Sequence, residues 1–92
     1  MRQFLVHDNR DNVGVAVVDM EAGQVVAGAT LDNGHTLHVT TCEAIPLGHK
    51  IALKDLKVGD TVIKYGEDIG KVVANIRAGE LVHVHNLKTK RW

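Results

Sequence analysis

Two of the six histidines in this 92-residue chain, His83 and His85, stand two apart in Leu81-Val82-His83-Val84-His85. Alternate side chains of a strand share a face, so this spacing predicts both imidazoles on one side, close enough to share a metal ion or an anion. Two nitrogen donors are only part of a metal site, and no CxxC or HExxH stands nearby to complete it. The missing ligands would then come from another chain. The same spacing also describes a solvated stripe opposite a valine core. Asn86 follows the pair with an amide. Gly48-His49-Lys50, after Ile45-Pro46-Leu47, forms another polar cluster on a turn, where backbone N–H groups and two cationic side chains can face an anion. Lys64 before Tyr65-Gly66, and His7 before the polar loop at Asp8, are single polar positions that also read as ordinary surface.

These side chains have to be positioned by strands. Val13, Val15, Val17, Val25, Val26, Val62, Ile63, Val72, Val73, Val82 and Val84 are β-branched, which suits a pleated surface. Alternation in Val13-Gly14-Val15-Ala16-Val17 and in 81–85 predicts strands with the valines on one face. Turn signals separate them at 8–12, 32–34, 58–60, 65–68 and 78–80. About seven short strands at such spacing predict an all-β barrel or sandwich-like module. Ile51-Ala52-Leu53-Lys54-Asp55-Leu56 breaks the alternation and predicts one short helical turn. A heptapeptide, apolar-x-Ala/Val-Gly-polar-x-Val, recurs from Met20, Leu56 and Ile76, and reads as a buried anchor, a tight Gly turn and a strand entry.

Composition narrows the function. Eleven Lys plus Arg balance eleven Asp plus Glu, which removes the general phosphate attraction behind most nucleic-acid binding, and three aromatics leave little for bases to stack on. No apolar run approaches the ~20 residues of a membrane span, and Met1 leads into Arg2-Gln3-Phe4 without a signal-peptide stretch, so a cytoplasmic protein is expected. Cys42 is the single cysteine and the sequence contains no Ser. No nucleophile–base pair, Gly-rich phosphate loop or spaced carboxylate pair is visible, so a complete enzyme is not expected from this chain alone.

The ordered set Ile45-Pro46-Leu47-Gly48-His49-Lys50-Ile51-Ala52-Leu53, Asp60-Thr61-Val62-Ile63-Lys64-Tyr65-Gly66 with Ile69-Gly70, and Ala78-Gly79-Glu80-Leu81-Val82-His83-Val84-His85-Asn86 resembles the SAF-type domain of the altronate and galactarate dehydratase family. His7 with Asp11-Asn12-Val13 fits the same pattern, so the resemblance spans nearly the whole chain. The ending Lys88-Thr89-Lys90-Arg91-Trp92 looks like that of separate small subunits among the sulfo-lyases of that family. The resemblance implies a β-clip fold, a single SAF-like domain over 1–92 with a basic tail at 87–92, and a metal-linked β-elimination lyase whose large catalytic part lies on another subunit. In such a reaction a small anionic hydroxy acid loses its α-proton, expels water or sulfite, and becomes a 2-keto acid. The implied cofactor is iron(II) or another divalent metal, shared with or held by the large subunit, and a homo-oligomer is compatible with it. Carried onto this sequence, the catalytic positions are His83 and His85, which are also the partial metal site. The substrate-binding positions are Asn86, His49, Lys50, Lys64 and His7.

Two other readings stand beside this one. A non-catalytic SAF-type module for carbohydrate, anions or a partner protein would need the histidines for no turnover and would dock through 87–92. A free-standing metal carrier would have to complete the His83/His85 site.

Overall fold

A computed structural model describes residues 2–89. It is built of strands: β1 (Phe4–Val6), β2 (Val13–Ala16), β3 (Val25–Thr30), β4 (Thr36–Thr40), β5 (Lys50–Ala52), β6 (Thr61–Lys64), β7 (Glu67–Val72), β8 (Leu81–Val82) and β9 (Leu87–Thr89). Six of them form a mixed sheet in the order β4-β3-β1-β2-β5-β8, and β6-β7-β9 form a second. β1 and β3 run parallel, and the other pairings are antiparallel. This is the small all-β domain expected from the valine pattern. Among the described residues no helix is long and apolar enough to cross a membrane.

The larger sheet buries apolar side chains on both faces. Phe4, Val6, Ala16, Met20, Val26, Ile45 and Ile51 form one cluster, while Val13, Ala52, Leu56, Val62, Val72, Ile76, Val82 and Leu87 form the other. Simple alternation therefore fails in β2, where Val13, Gly14 and Ala16 are buried and Val17 is exposed. The two-sided core also corrects the expected helical turn at 51–56. Ile51 and Ala52 are strand residues facing opposite clusters, Leu53 and Lys54 bend, and Leu56 makes an isolated bridge to Ile76. Consecutive apolar residues there reflect burial on both faces, as in covered strands. Phe4 is fully buried against two glycines, and a Cβ on Gly14 or Gly28 would stand 2.7 or 2.1 Å from its ring atoms.

The recurring heptapeptide has a fourth, disguised copy at 45–51, with Leu47 and Ile51 in place of the Ala/Val and Val positions. The four copies clasp in two pairs. Met20 and Ile45 exchange both backbone bonds at 2.9 Å, and Leu56 and Ile76 exchange both at 2.8 Å. Each turn glycine donates to the strand opposite: Gly23 to Thr41, Gly48 to Ala16, Gly59 to Val72 and Gly79 to Ala52. All four glycines have positive φ, from 78° to 94°. The residue before three of the four anchors closes the clasp from the side. Asp19 accepts from Leu47 N at 2.8 Å, Asp55 from Ala78 N at 2.9 Å, and Asn75 from Val58 N at 3.0 Å. Ala44 occupies the fourth equivalent position and has no oxygen to offer.

Of the segment 87–92 read as a basic tail, Leu87–Thr89 is β9, paired with β7. Lys90, Arg91 and Trp92 lie outside the described residues.

Candidate functional site

Three of the four turns are closed by the side chain that follows the glycine. Gln24 accepts the Glu21 N–H at 3.0 Å, Asp60 accepts the Lys57 N–H at 2.8 Å, and Glu80 accepts the Arg77 N–H. In the fourth turn the position equivalent to Glu21, Lys57 and Arg77 is Pro46, which has no N–H to satisfy. The residue after its glycine is His49, so the imidazole is released from turn closure. Its Nδ1 lies 3.4 Å from the Leu47 carbonyl, a contact that leaves Nε2 uncommitted. The ring stands against His83, with centroids 5.1 Å apart.

Strand pairing explains that meeting. Lys50 opposes Val82 in the β5–β8 ladder, so the residues flanking the pair, His49 and His83, emerge together at the end of two short strands. The strand expected to put His83 and His85 on one face does not reach them, because β8 stops at Val82 and the chain turns. Asn86 makes the turn: its Oδ1 accepts the His83 N–H at 2.9 Å and its Nδ2 donates to the Leu81 carbonyl at 2.7 Å. The same amide nitrogen lies 3.1 Å from His85 Nε2, which occupies that lone pair when His85 carries its proton on Nδ1. Asn86 is buried with both amide atoms engaged, and its place is in the turn rather than facing a ligand. Val84, expected on the core side, is 75% exposed for the same reason.

Lys50 follows His49 in the chain and opposes Val82, so along the strand its side chain leaves the opposite face from the imidazole pair. Burial, and secondly the nearby Lys64 charge, hold its ammonium below the ordinary lysine range. Desolvation disfavours the charged form, so an anion that neutralises it is favoured at this point. Lys64, at the end of β6, puts its Nζ 5.0 Å from the centre of the Tyr65 ring, and His7 packs on that ring at 3.9 Å. The structure thus groups His7, Tyr65, Lys64 and Lys50 on one side and pairs His49 with His83 on the other, leaving Asn86 and His85 in their own turn.

The loop before β2 holds this assembly together. Asn12 accepts the Ile63 N–H at 2.8 Å and donates to the Thr61 carbonyl at 2.9 Å, pinning β6 to the larger sheet. The carboxylate of Asp11, buried with it, accepts from Tyr65 N at 3.1 Å and Gly66 N at 2.8 Å. Sequence reasoning missed this role, because a carboxylate in a polar loop ordinarily reads as solvated; the Asp-Asn pair before a strand was its only local signal. Arg10 is not a free cation. It bonds Asp8 at 2.8 Å and, chiefly through that side-chain bond, holds the Asp8 carboxyl down to about 2.

Among the described residues no group of three or more His, Cys, Asp or Glu side chains stands together as a metal site. The donor set of the described residues does not fit the implied iron(II) by itself. An open, mostly apolar groove of about 380 Å3 between Val73, Val84, Leu87, Lys88 and Thr89 contains none of the cationic candidates.

Comparison with known proteins agrees with the motif order. The family described as Altronate/galactarate dehydratase SAF domain matches residues 2–90. The chain is 57% identical over 90 residues to the (2R)-sulfolactate sulfo-lyase subunit alpha of Chromohalobacter salexigens, covering 97% of this chain and 96% of that protein. It is 59% identical over 63 residues to the subunit of the same name from Paracoccus pantotrophus, covering 68% of this chain and 92% of that one. It is also 44% identical over 87 residues to the altronate dehydratase of Escherichia coli, covering 95% of this chain but 16% of the enzyme. With a family match across almost every residue and relatives of more than half identity, the chain belongs to the altronate/galactarate dehydratase SAF domain family.

Proposed function

We propose that this chain is the small subunit of a β-elimination lyase, acts with a separate large catalytic subunit, and takes (2R)-sulfolactate as substrate. The observation that carries the site is the fourth clasp turn, which has exchanged its closing bond for a free imidazole beside His83, one residue before the half-buried Lys50 in the chain. The match over nearly all of this chain to a protein named as an alpha subunit supports a second subunit, and that name, shared by the Paracoccus pantotrophus relative, supports sulfolactate over altronate or galactarate.

In the reaction the α-carbon gives up its proton, the electron pair forms the carbon–carbon double bond, and the β-carbon–sulfur bond breaks with its pair, releasing sulfite. The enol then becomes the 2-keto acid. Lys50 and Lys64 hold the anionic substrate and meet the negative charge that develops on the enolate, where a preorganised cation counts for most. His49, backed by His83, exchanges a proton through Nε2. A divalent metal such as iron(II), where the reaction uses one, would take its ligands from the large subunit and would supply Lewis-acid stabilisation of the developing enolate. His85 plays no part beyond its turn.

The test is reconstitution of this chain with its large subunit, with and without iron(II), followed by assay of sulfite and 2-keto acid from sulfolactate, altronate and galactarate. Sulfite with keto acid from sulfolactate alone is expected. Keto acid without sulfite, from altronate or galactarate, would move the substrate to the dehydratase branch. No product from any of the three with both subunits bound would leave a non-catalytic assembly module as the better reading.

A further inference from the structure

Lys64 and Glu67 are paired across a two-residue hairpin whose central residues are Tyr65 at φ +56° and Gly66 at φ +70°. Two positive values in that position select Asn, Asp or Gly, because a Cβ crowds the following carbonyl. Tyr65 is the one non-glycine residue at positive φ among the described residues. Burial does not compensate for its cost, since the side chain is 56% exposed. The backbone is instead held from below by the buried Asp11 carboxylate, which accepts both turn N–H groups.

The ring so displayed is not loose. His7 packs on it with centroids 3.9 Å apart and planes 31° apart, and Lys64 Nζ stands 5.0 Å from its centre. Its hydroxyl makes no hydrogen bond among the described residues. An aromatic residue in a conformation it disfavours, kept exposed between an imidazole and an ammonium, matches backbone strain retained at a working site rather than a packing need.

We propose that Tyr65 is a ligand-contact residue of the cationic site, its hydroxyl donating a hydrogen bond to an oxygen of the small anionic hydroxy acid held by Lys64 and His7. This rests on the lyase reading for the identity of the ligand, and on the hairpin geometry for the residue. Tyr65→Asn is the decisive variant, because Asn accepts the left-handed backbone and removes the ring. In the reconstituted complex Tyr65→Asn should melt at the same temperature as the parent or higher, while KM for the hydroxy acid rises by about tenfold or more. Tyr65→Phe, which keeps the ring and loses one hydrogen bond, should raise KM by roughly 3- to 10-fold. Wild-type KM and kcat in Tyr65→Asn would overturn the proposal.

A second measurement separates failure of this inference from failure of the lyase reading. Malate, a hydroxy dicarboxylate, is titrated into the full chain alone while the Tyr65 ring resonances are followed by NMR. Saturable shifts support the contact even if the complex turns over none of the three substrates, provided that the malate affinity read from the neighbouring His7 ring falls in Tyr65→Phe. Unmoved Tyr65 resonances together with inactive complexes would sink both, and unmoved resonances with an active complex insensitive to Tyr65→Asn would sink this inference alone.

Discussion

The turn at Leu47-Gly48 and its counterpart at Ala78-Gly79 share one backbone design and have opposite assignments. In the second, Glu80 closes the turn onto Arg77, and Gly79 is jammed against the end of β4, where a Cβ would lie 1.9 Å from the Thr40 carbonyl oxygen. In the first, proline removes the donor, His49 is released, and a Cβ on Gly48 would meet nothing within 4 Å. One turn is closed and packed; the other carries a free imidazole, and it is the lost closing bond that sets it apart, since Gly23 and Gly59 in closed turns are as open as Gly48. Duplicated local structure shows which residues have stopped serving the fold, and that residue is where chemistry is to be sought.

Substitutions sharpen this contrast, beginning with the largest effect. Gly79→Ala must strain φ and displace a backbone carbonyl, and should cost about 2–4 kcal/mol in denaturant unfolding. Gly48→Ala carries only the left-handed cost of roughly 1–2 kcal/mol. Equal losses at the two sites would mean that the clasps relax around an added methyl and that the contrast is false.

His49→Ala should lower turnover of the reconstituted complex by at least ~10²-fold, the lower end for a lost proton-transfer group, with the melting temperature unchanged. Asp60→Ala, at the equivalent position of a scaffold turn, should do the reverse, losing about 0.5–1.5 kcal/mol of stability with turnover intact. Turnover unaffected by His49→Ala would return His49 to the surface.

Ala44→Asp restores the missing side clasp by offering an acceptor to the Ala22 N–H. It should raise unfolding free energy by about 0.5–1.5 kcal/mol, and no gain would mean that the two clasp pairs are less alike than their backbones. The smallest effect concerns pH. The native state holds the Lys50 proton less well than the unfolded chain, chiefly through burial and then through Lys64. That penalty is fully present at neutral pH and fades as pH rises through the lowered native value towards the ordinary 10.5. Lys50→Met should therefore stabilise the chain at neutral pH, by an amount that shrinks in alkaline buffer, while weakening substrate binding. A gain independent of pH would show that packing, not charge, is responsible.

Much of the fold could be read from local pattern, because β-branched runs and Gly turns act over a few residues. Three clasp copies stood out by their Ala/Val-Gly core, and the fourth was hidden by Leu47 and Ile51, whose bulk the clasp accepts equally well. The helical turn expected at 51–56 failed since one-dimensional alternation has no way to show a sheet covered on both faces. Site residues could be named one by one from the sequence, but their grouping was not legible. His83 follows a strand that Asn86 cuts short, and its ring meets His49, 34 positions earlier, through β-ladder register alone. Tyr65 was passed over as turn punctuation, although Tyr-Gly where Asn-Gly is the ordinary choice was a usable signal.

The placement of Phe4 has a spectroscopic consequence. It is the only phenylalanine, and its ring lies over Gly14 and Gly28, whose α-protons have no side chain to screen them. Ring-current fields should move those glycine signals well away from their random-coil positions. Fluorinated phenylalanine at this single site would then give one resonance whose shift reports, without any activity assay, whether a variant still has its two strands closed over the same ring.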